Sequence, residues 1–193
     1  MGFDFVHFGF DLKDRTQHWG RILGLRKYIT QYDILVYLDT DSVITNRDFD
    51  IMDVVDSNPG SLIMTGPQPH EGHIGTNGMI FRNCSWCESL LDYWYSLEQF
   101  VDEPYFGTLS RGTDDDGGFS APPSEWKFYE QSAFHYMYDT RQDVRDNTAL
   151  LDRKYMHAVP NTHSKSDFII HFPGMSVERK IRAIKSHLSR LVI

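Results

Sequence analysis

Residues 32–38 run Tyr-Asp-Ile-Leu-Val-Tyr-Leu and then break abruptly into Asp39-Thr40-Asp41-Ser42. A nearly continuous run of branched and aromatic residues is what a strand covered on both faces needs. Covering both faces takes packed layers, so this segment already points to a layered α/β chain. In open α/β sheets ligands gather beyond the carboxyl ends of the strands, and that is where Asp39 and Asp41 fall. Two carboxylates two residues apart repel in a dry cleft unless a cation neutralises them. Hard oxygen ligands suit Mg²⁺ or Mn²⁺, ions that commonly bridge to substrate phosphates. The plainer alternative is a solvated acidic turn; the uninterrupted strand before it favours a site.

The rest of the chain supports the same class. Residues 3–10 are expected to form an aromatic strand and 17–30 a helix with Trp19, Ile22, Leu23 and Ile29 on one face. A short helix over 49–55 stops at Asn58-Pro59-Gly60, and 61–65 form a buried strand followed by a polar loop over 66–73. A strand over 78–82 leads into an amphipathic helix over 85–100, striped by Trp86, Leu90, Leu91, Trp94 and Leu97. Residues 107–125, rich in Gly, Pro and Asp, are expected to be a mobile loop. Helix resumes over 125–138, strands follow at 158–159 and 168–171, and the chain is helical from Ser176 onward. No internal repeat or domain boundary interrupts residues 1–193, so a single domain is expected.

Nineteen Lys and Arg against 27 Asp and Glu give a net charge of −8, which argues against a nucleic-acid partner. No apolar run approaches the roughly 20 residues that span a bilayer. Residues 1–5 carry neither the basic flank nor the apolar stretch of a signal peptide. Two cysteines cannot build a disulfide framework.

Several motifs then recur in a recognisable order. Arg21 precedes the Asp39-Thr40-Asp41 strand; Thr76-Asn77-Gly78-Met79-Ile80-Phe81-Arg82, Glu130-Gln131-Ser132-Ala133 and Ile170-His171-Phe172-Pro173-Gly174 follow it. Over residues 5–175 the chain resembles GT-A-fold, nucleotide-sugar-dependent glycosyltransferases. It is most similar to the yeast galactosyl/mannosyltransferase and plant xyloglucan xylosyltransferase family, with glycogenin-like enzymes more distant. The resemblance implies a Rossmann-like mixed sheet flanked by helices. It also implies a metal site of Asp39, Asp41 and His171, holding Mn²⁺ or Mg²⁺, and a nucleotide-sugar donor, UDP-linked. Imidazole beside two carboxylates leans toward Mn²⁺.

By the same resemblance Arg21 reaches the pyrophosphate, Asn77, Gly78 and Gly174 line the donor, and Glu130 and Gln131 face the anomeric carbon of a retaining reaction. Plainer readings stand beside these: a solvent-facing Arg21, a β-bulge at Gly78, and a Glu130 placed to suit a helix dipole. Two features depart from the family pattern. Its Asn-Thr/Ser-Gly is here Asn77-Gly78, and its lysine after His-Phe-x-Gly is absent, the nearest cations being Arg179 and Lys180. The chain also opens at what would be the second strand, so the first βα unit, on the order of 30 residues, is expected to be missing.

The strand with Asp39 and Asp41 also fits the first motif of haloacid-dehalogenase-type phosphatases, with Asp39 as nucleophile, although that motif usually lies on the first strand. A non-catalytic glycan- or partner-binding domain and a truncated domain are further alternatives. Cys84-Ser85-Trp86-Cys87 suggests packing more than redox or zinc chemistry. Asn83-Cys84-Ser85 fits a glycosylation acceptor. His70, Glu71 and His73 could hold a metal, but loop polarity explains them; Asp114-Asp115-Asp116 fit a solvated loop. The final helix, 177–193, carries Val177, Ile181, Ile184, Leu188 and Leu191 in one stripe among Arg179, Lys180, Arg182, Lys185 and Arg190. Packing of that stripe onto the domain is expected, with an anionic membrane or a partner as the alternative. A cytoplasmic setting is expected, or a Golgi-lumenal one if the chain belongs to an anchored enzyme.

Overall fold

The computed structural model describes residues 3–67, 74–102 and 130–191. The expected 107–125 loop, His70, Glu71, His73 and Asp114-Asp115-Asp116 lie outside them.

The apolar run forms strand β1 (Ile34–Leu38). It pairs antiparallel with β4 (Gly75–Arg82), β4 pairs antiparallel with β3 (Leu62–Thr65), and β3 pairs parallel with β5 (Thr148–Leu151). The mixed sheet therefore has the order β1-β4-β3-β5. Alternation along each strand divides the core in two. Leu35, Tyr37, Met79 and Phe81 meet one cluster, with Trp19, Ile22, Leu25, Trp94 and Phe134. Ile34, Val36, Leu38 and Ile80 meet the other, with Val54, Val55, Met156 and Ile169. The first layer comes from α1 (Gly20–Tyr28), α3 (Ser85–Tyr95) and α5 (Glu130–Thr140). The second comes from α2 (Ile51–Ser57), α7 (Arg153–Met156) and β6 (Ile169–His171). Asp50 caps α2 by accepting from the Met52 amide at 2.8 Å. The fold is thus a mixed α/β sheet flanked by helices.

A second, two-stranded sheet joins β2 (Ser42–Ile44) to β6, with Ser42 opposite His171. The Phe172 amide also donates to the Asp41 carbonyl at 3.0 Å. This pairing carries His171 across 130 residues of chain to the Asp39-Thr40-Asp41 turn.

Several expectations are corrected. Residues 3–10 form no strand: they run beside α1 and β1 with no ladder partner, Phe8 packing on Tyr28 and Tyr37. The expected 85–100 helix breaks at Ser96, whose hydroxyl donates to the Tyr93 carbonyl at 2.7 Å, before α4 (Gln99–Asp102). In α1 the buried position is Leu25, while Leu23 is only half-buried. Of 158–159 only Ala158 forms a bridge, to Ile170. Helix α6 (Gln142–Asn147), β5 and α7 were not expected.

Strand β4 contains a register shift. Met64 faces Met79, yet the next residue, Thr65, faces Gly75. Thr76, Asn77 and Gly78 form the bulge, so the β-bulge reading of Gly78 describes the backbone. A Cβ on Gly78 would lie 2.7 Å from Met156 Cβ and 3.0 Å from its carbonyl oxygen. The close approach there is that of α7. Gly78→Ala is expected to destabilise the chain by about 1–3 kcal/mol through this overlap. A denaturant melt checks it; unchanged stability would show that α7 moves aside freely.

Candidate active site

Asp39 leaves β1 on the same face as Tyr37, toward α1, because strand side chains alternate. The Tyr37 hydroxyl donates to Asp39 Oδ1 at 2.7 Å, and Arg21 Nη2 meets the same oxygen at 3.2 Å. Burial, together with the neighbouring carboxylates, pushes the Tyr37 phenol well above its ordinary range, so it stays a donor.

Asp41 turns its carboxylate toward His171. His171 Nε2 lies 3.2 Å from Asp41 Oδ1 and 3.9 Å from Asp39 Oδ2. One ligand atom from each of Asp39, Asp41 and His171 falls within 4.8 Å of the others. The expected triad is therefore assembled, and two carboxylate oxygens with one imidazole nitrogen suit a divalent cation. Burial alone would raise the Asp41 carboxyl, but hydrogen bonds from His171 and Lys180 outweigh it and hold it down at about 2. It stays ionised, as a metal ligand must.

Lys180 was expected only as one of the nearest cations. Its ammonium sits 2.6 Å from Asp41 Oδ2. The His-Phe-Pro-Gly turn makes this contact possible. Gly174 has φ 66°, a left-handed conformation, with open space where a Cβ would stand. The turn redirects the chain into α8 (Val177–Leu191), whose first turn brings Lys180 back over Asp41.

Arg21 is drawn inward rather than toward solvent. Its Nη1 pairs with Glu130 Oε1 at 3.0 Å and donates to the Thr76 carbonyl at 2.8 Å. Thr76, lifted by the bulge, donates its hydroxyl to Glu130 at 2.9 Å. Burial pulls the guanidinium pKa down, but Glu130 and Asp39 push harder and the net shift is upward. One guanidinium thus joins the Asp39 carboxylate to Glu130, which is 1% exposed at the start of α5. Gln131 donates to the Ile74 carbonyl at 2.8 Å.

Asn77 is buried within the bulge. Its amide donates to the Met156 carbonyl at 2.8 Å, and its oxygen meets His157 Nδ1. The His157 ring packs edge-on against His171 at 5.1 Å. Asn77 thus meets a His157 ring that lies against His171. Tyr37 and Lys180 left a trace in the sequence: one shares the Asp39 face two residues earlier, the other lies in the first turn after the glycine. His157 left none.

The sequence profile of the galactosyl transferase GMA12/MNN10 family matches residues 58–182. That span holds Asn77, Gly78, Glu130, Gln131, His171, Gly174 and Lys180, while Arg21, Asp39 and Asp41 lie upstream of it. Among solved structures, the chain is similar to a glycosyltransferase involved in the glycosylation of the major capsid of PBCV-1. The TM-score is 0.60 at 13% identity, covering 88% of this chain and 75% of that one, a likeness of fold. No curated protein matches. The profile match spans well over half of the chain and sets aside the dehalogenase-type phosphatase reading of Asp39. This chain belongs to the galactosyl transferase GMA12/MNN10 family and is a glycosyltransferase.

Proposed function

We propose that this glycosyltransferase moves a hexosyl or pentosyl group from a UDP-linked donor to a hydroxyl of a glycan, with retention of configuration. Asp39, Asp41 and His171 would hold Mn²⁺ or Mg²⁺. The observation that carries the reading is the convergence of their ligand atoms within 4.8 Å beyond the end of β1. Once bound, the cation supplies Lewis-acid neutralisation of the diphosphate as the glycosidic bond breaks. Tyr37 and Arg21 hold Asp39 in place, and His157 steadies the ring of His171. Gln131, half-buried, would orient the acceptor, and the buried Glu130, paired with Arg21, would steady positive charge on the anomeric carbon as a fixed charge. Glu130, with 2% of its side chain exposed and Oε1 accepting from Arg21 and Thr76, is buried as a fixed charge is, whereas the proton-accepting base of an inverting reaction must reach the acceptor hydroxyl. Calorimetric titration of UDP with Mn²⁺, repeated in EDTA, tests this: binding is expected with the metal and lost without it. Absence of binding in both would overturn the reading.

Lys180 then has two states to serve. Without metal its ammonium neutralises Asp41; with metal and donor it adds positive charge beside the diphosphate. Lys180→Met is expected to tighten Mn²⁺ binding to the nucleotide-free chain several-fold and to weaken UDP binding in Mn²⁺ by about tenfold. Calorimetry of each equilibrium separates the two effects, and a change of the same sign in both would reject the dual role.

A further inference from the structure

Helix α8 does not pack as its pattern suggests. The side chains that face the domain are Lys180, Ala183, Ile184 and His187, all half-buried. Lys180 is held by Asp41, and the His187 ring meets His163 at 5.1 Å and Phe172 at 6.1 Å. These contacts fix the rotation of the helix about its axis. The expected apolar stripe flanks them: Ile184 packs toward the domain, while Val177 is 66% exposed, Ile181 47% and Leu188 42%. The expectation that the stripe packs onto the domain holds at Ile184 and is corrected at Val177, Ile181 and Leu188. Val177, Ile181 and Leu188 recur at helical spacing along one outward line. Lys185 borders that line, with Glu178 and then Arg182 further around the helix, all exposed.

Charge says what such a face meets. Across residues 177–189, Arg179, Lys180, Arg182 and Lys185 stand against the single acid Glu178, on a chain whose net charge is −8. A narrow apolar line bordered on its outer side by exposed Lys185 and Arg182 fits an anionic lipid surface, where the apolar residues enter the acyl boundary and the cations meet headgroup phosphates. We propose that α8 is an in-plane helix that seats this glycosyltransferase on an anionic bilayer. Among the described residues no helix is long and apolar enough to cross a membrane, so the contact is one of lying on the surface.

Co-sedimentation of the full chain with phosphatidylcholine vesicles, with and without phosphatidylserine, tests this. Binding is expected only where phosphatidylserine is present. Ile181→Asp with Leu188→Asp is expected to weaken it by at least about tenfold. Circular dichroism should be unchanged in that variant, because both side chains are already exposed. Lys185→Glu is expected to weaken binding about fivefold or more, and high salt to act in the same direction. No binding to the anionic vesicles would overturn the proposal, as would binding that survives the double aspartate variant. Concentration-dependent self-association lost in that variant would assign the stripe to a second copy instead and likewise overturn it. None of these outcomes depends on the donor or the metal.

Discussion

Asp41→Asn is expected to abolish Mn²⁺-dependent UDP binding and sugar transfer while the chain stays folded. Asp41 is the carboxylate on which the candidate centre turns, since among the described residues it alone touches both His171 and the ammonium of Lys180. Asparagine keeps its shape and supplies a neutral oxygen, so a divalent cation would be left with Asp39 as its sole charged ligand. Loss of an outer-shell partner commonly costs about 10–100-fold in metal affinity, and loss of a charged ligand should exceed that. The fold should be far less affected. Lys180, 28% exposed, reaches water when its partner is neutralised, so the cost stays below that of breaking a fully buried pair, about 3–5 kcal/mol. Calorimetry in Mn²⁺ beside a thermal melt reads both effects. Unchanged Mn²⁺-dependent affinity for UDP would remove Asp41 from the site; loss of binding together with unfolding would assign it a structural role.

The two carboxylates of the triad were legible from local rules, and His171 from the family resemblance. An apolar strand that ends in two acids points to a site, whereas the strand signal Phe168-Ile169-Ile170 before His171 says nothing by itself of a ligand. The residues around the triad were less legible, because tertiary contacts set their roles. Arg21 lies on a helix whose pattern leaves it facing either way, and only the packing of α1 against β1 and the bulge turns it inward. Strand β5 is four residues long and follows the charged segment Arg141-Gln142-Asp143-Val144-Arg145-Asp146, so no periodicity marks it. The aromatic run at residues 3–10 shows the converse failure: strand propensity without a neighbouring strand to pair with leaves extended chain. Helix α8 has the clearest stripe of all, yet its orientation came from two polar contacts, Lys180 with Asp41 and His187 with His163.

Arg21→Met should have the largest effect on stability. The guanidinium, 10% exposed, balances Asp39 on one side and Glu130, with 2% of its side chain exposed, on the other. Removing it strands a carboxylate that water cannot reach. Glu130 Oε2 already finds no hydrogen-bond partner among the described residues, so little is left to compensate. Breaking a buried pair in this way costs about 3–5 kcal/mol. For a chain of this size that lowers the melting temperature by roughly 6–20 °C. Asp39 contributes less to the loss, because the Tyr37 hydroxyl still donates to it and part of it is solvated. The double variant Arg21→Met/Glu130→Gln should therefore recover much of the stability, since it removes the stranded charge. It should not recover transfer, because both the tie that orients Asp39 and the fixed charge at position 130 are gone. Denaturant melts and transfer assays on the two variants separate charge balance from catalysis. A loss below about 1 kcal/mol in Arg21→Met would place the guanidinium in water, as a surface pair behaves. Recovered activity in the double variant would confine Arg21 and Glu130 to the scaffold.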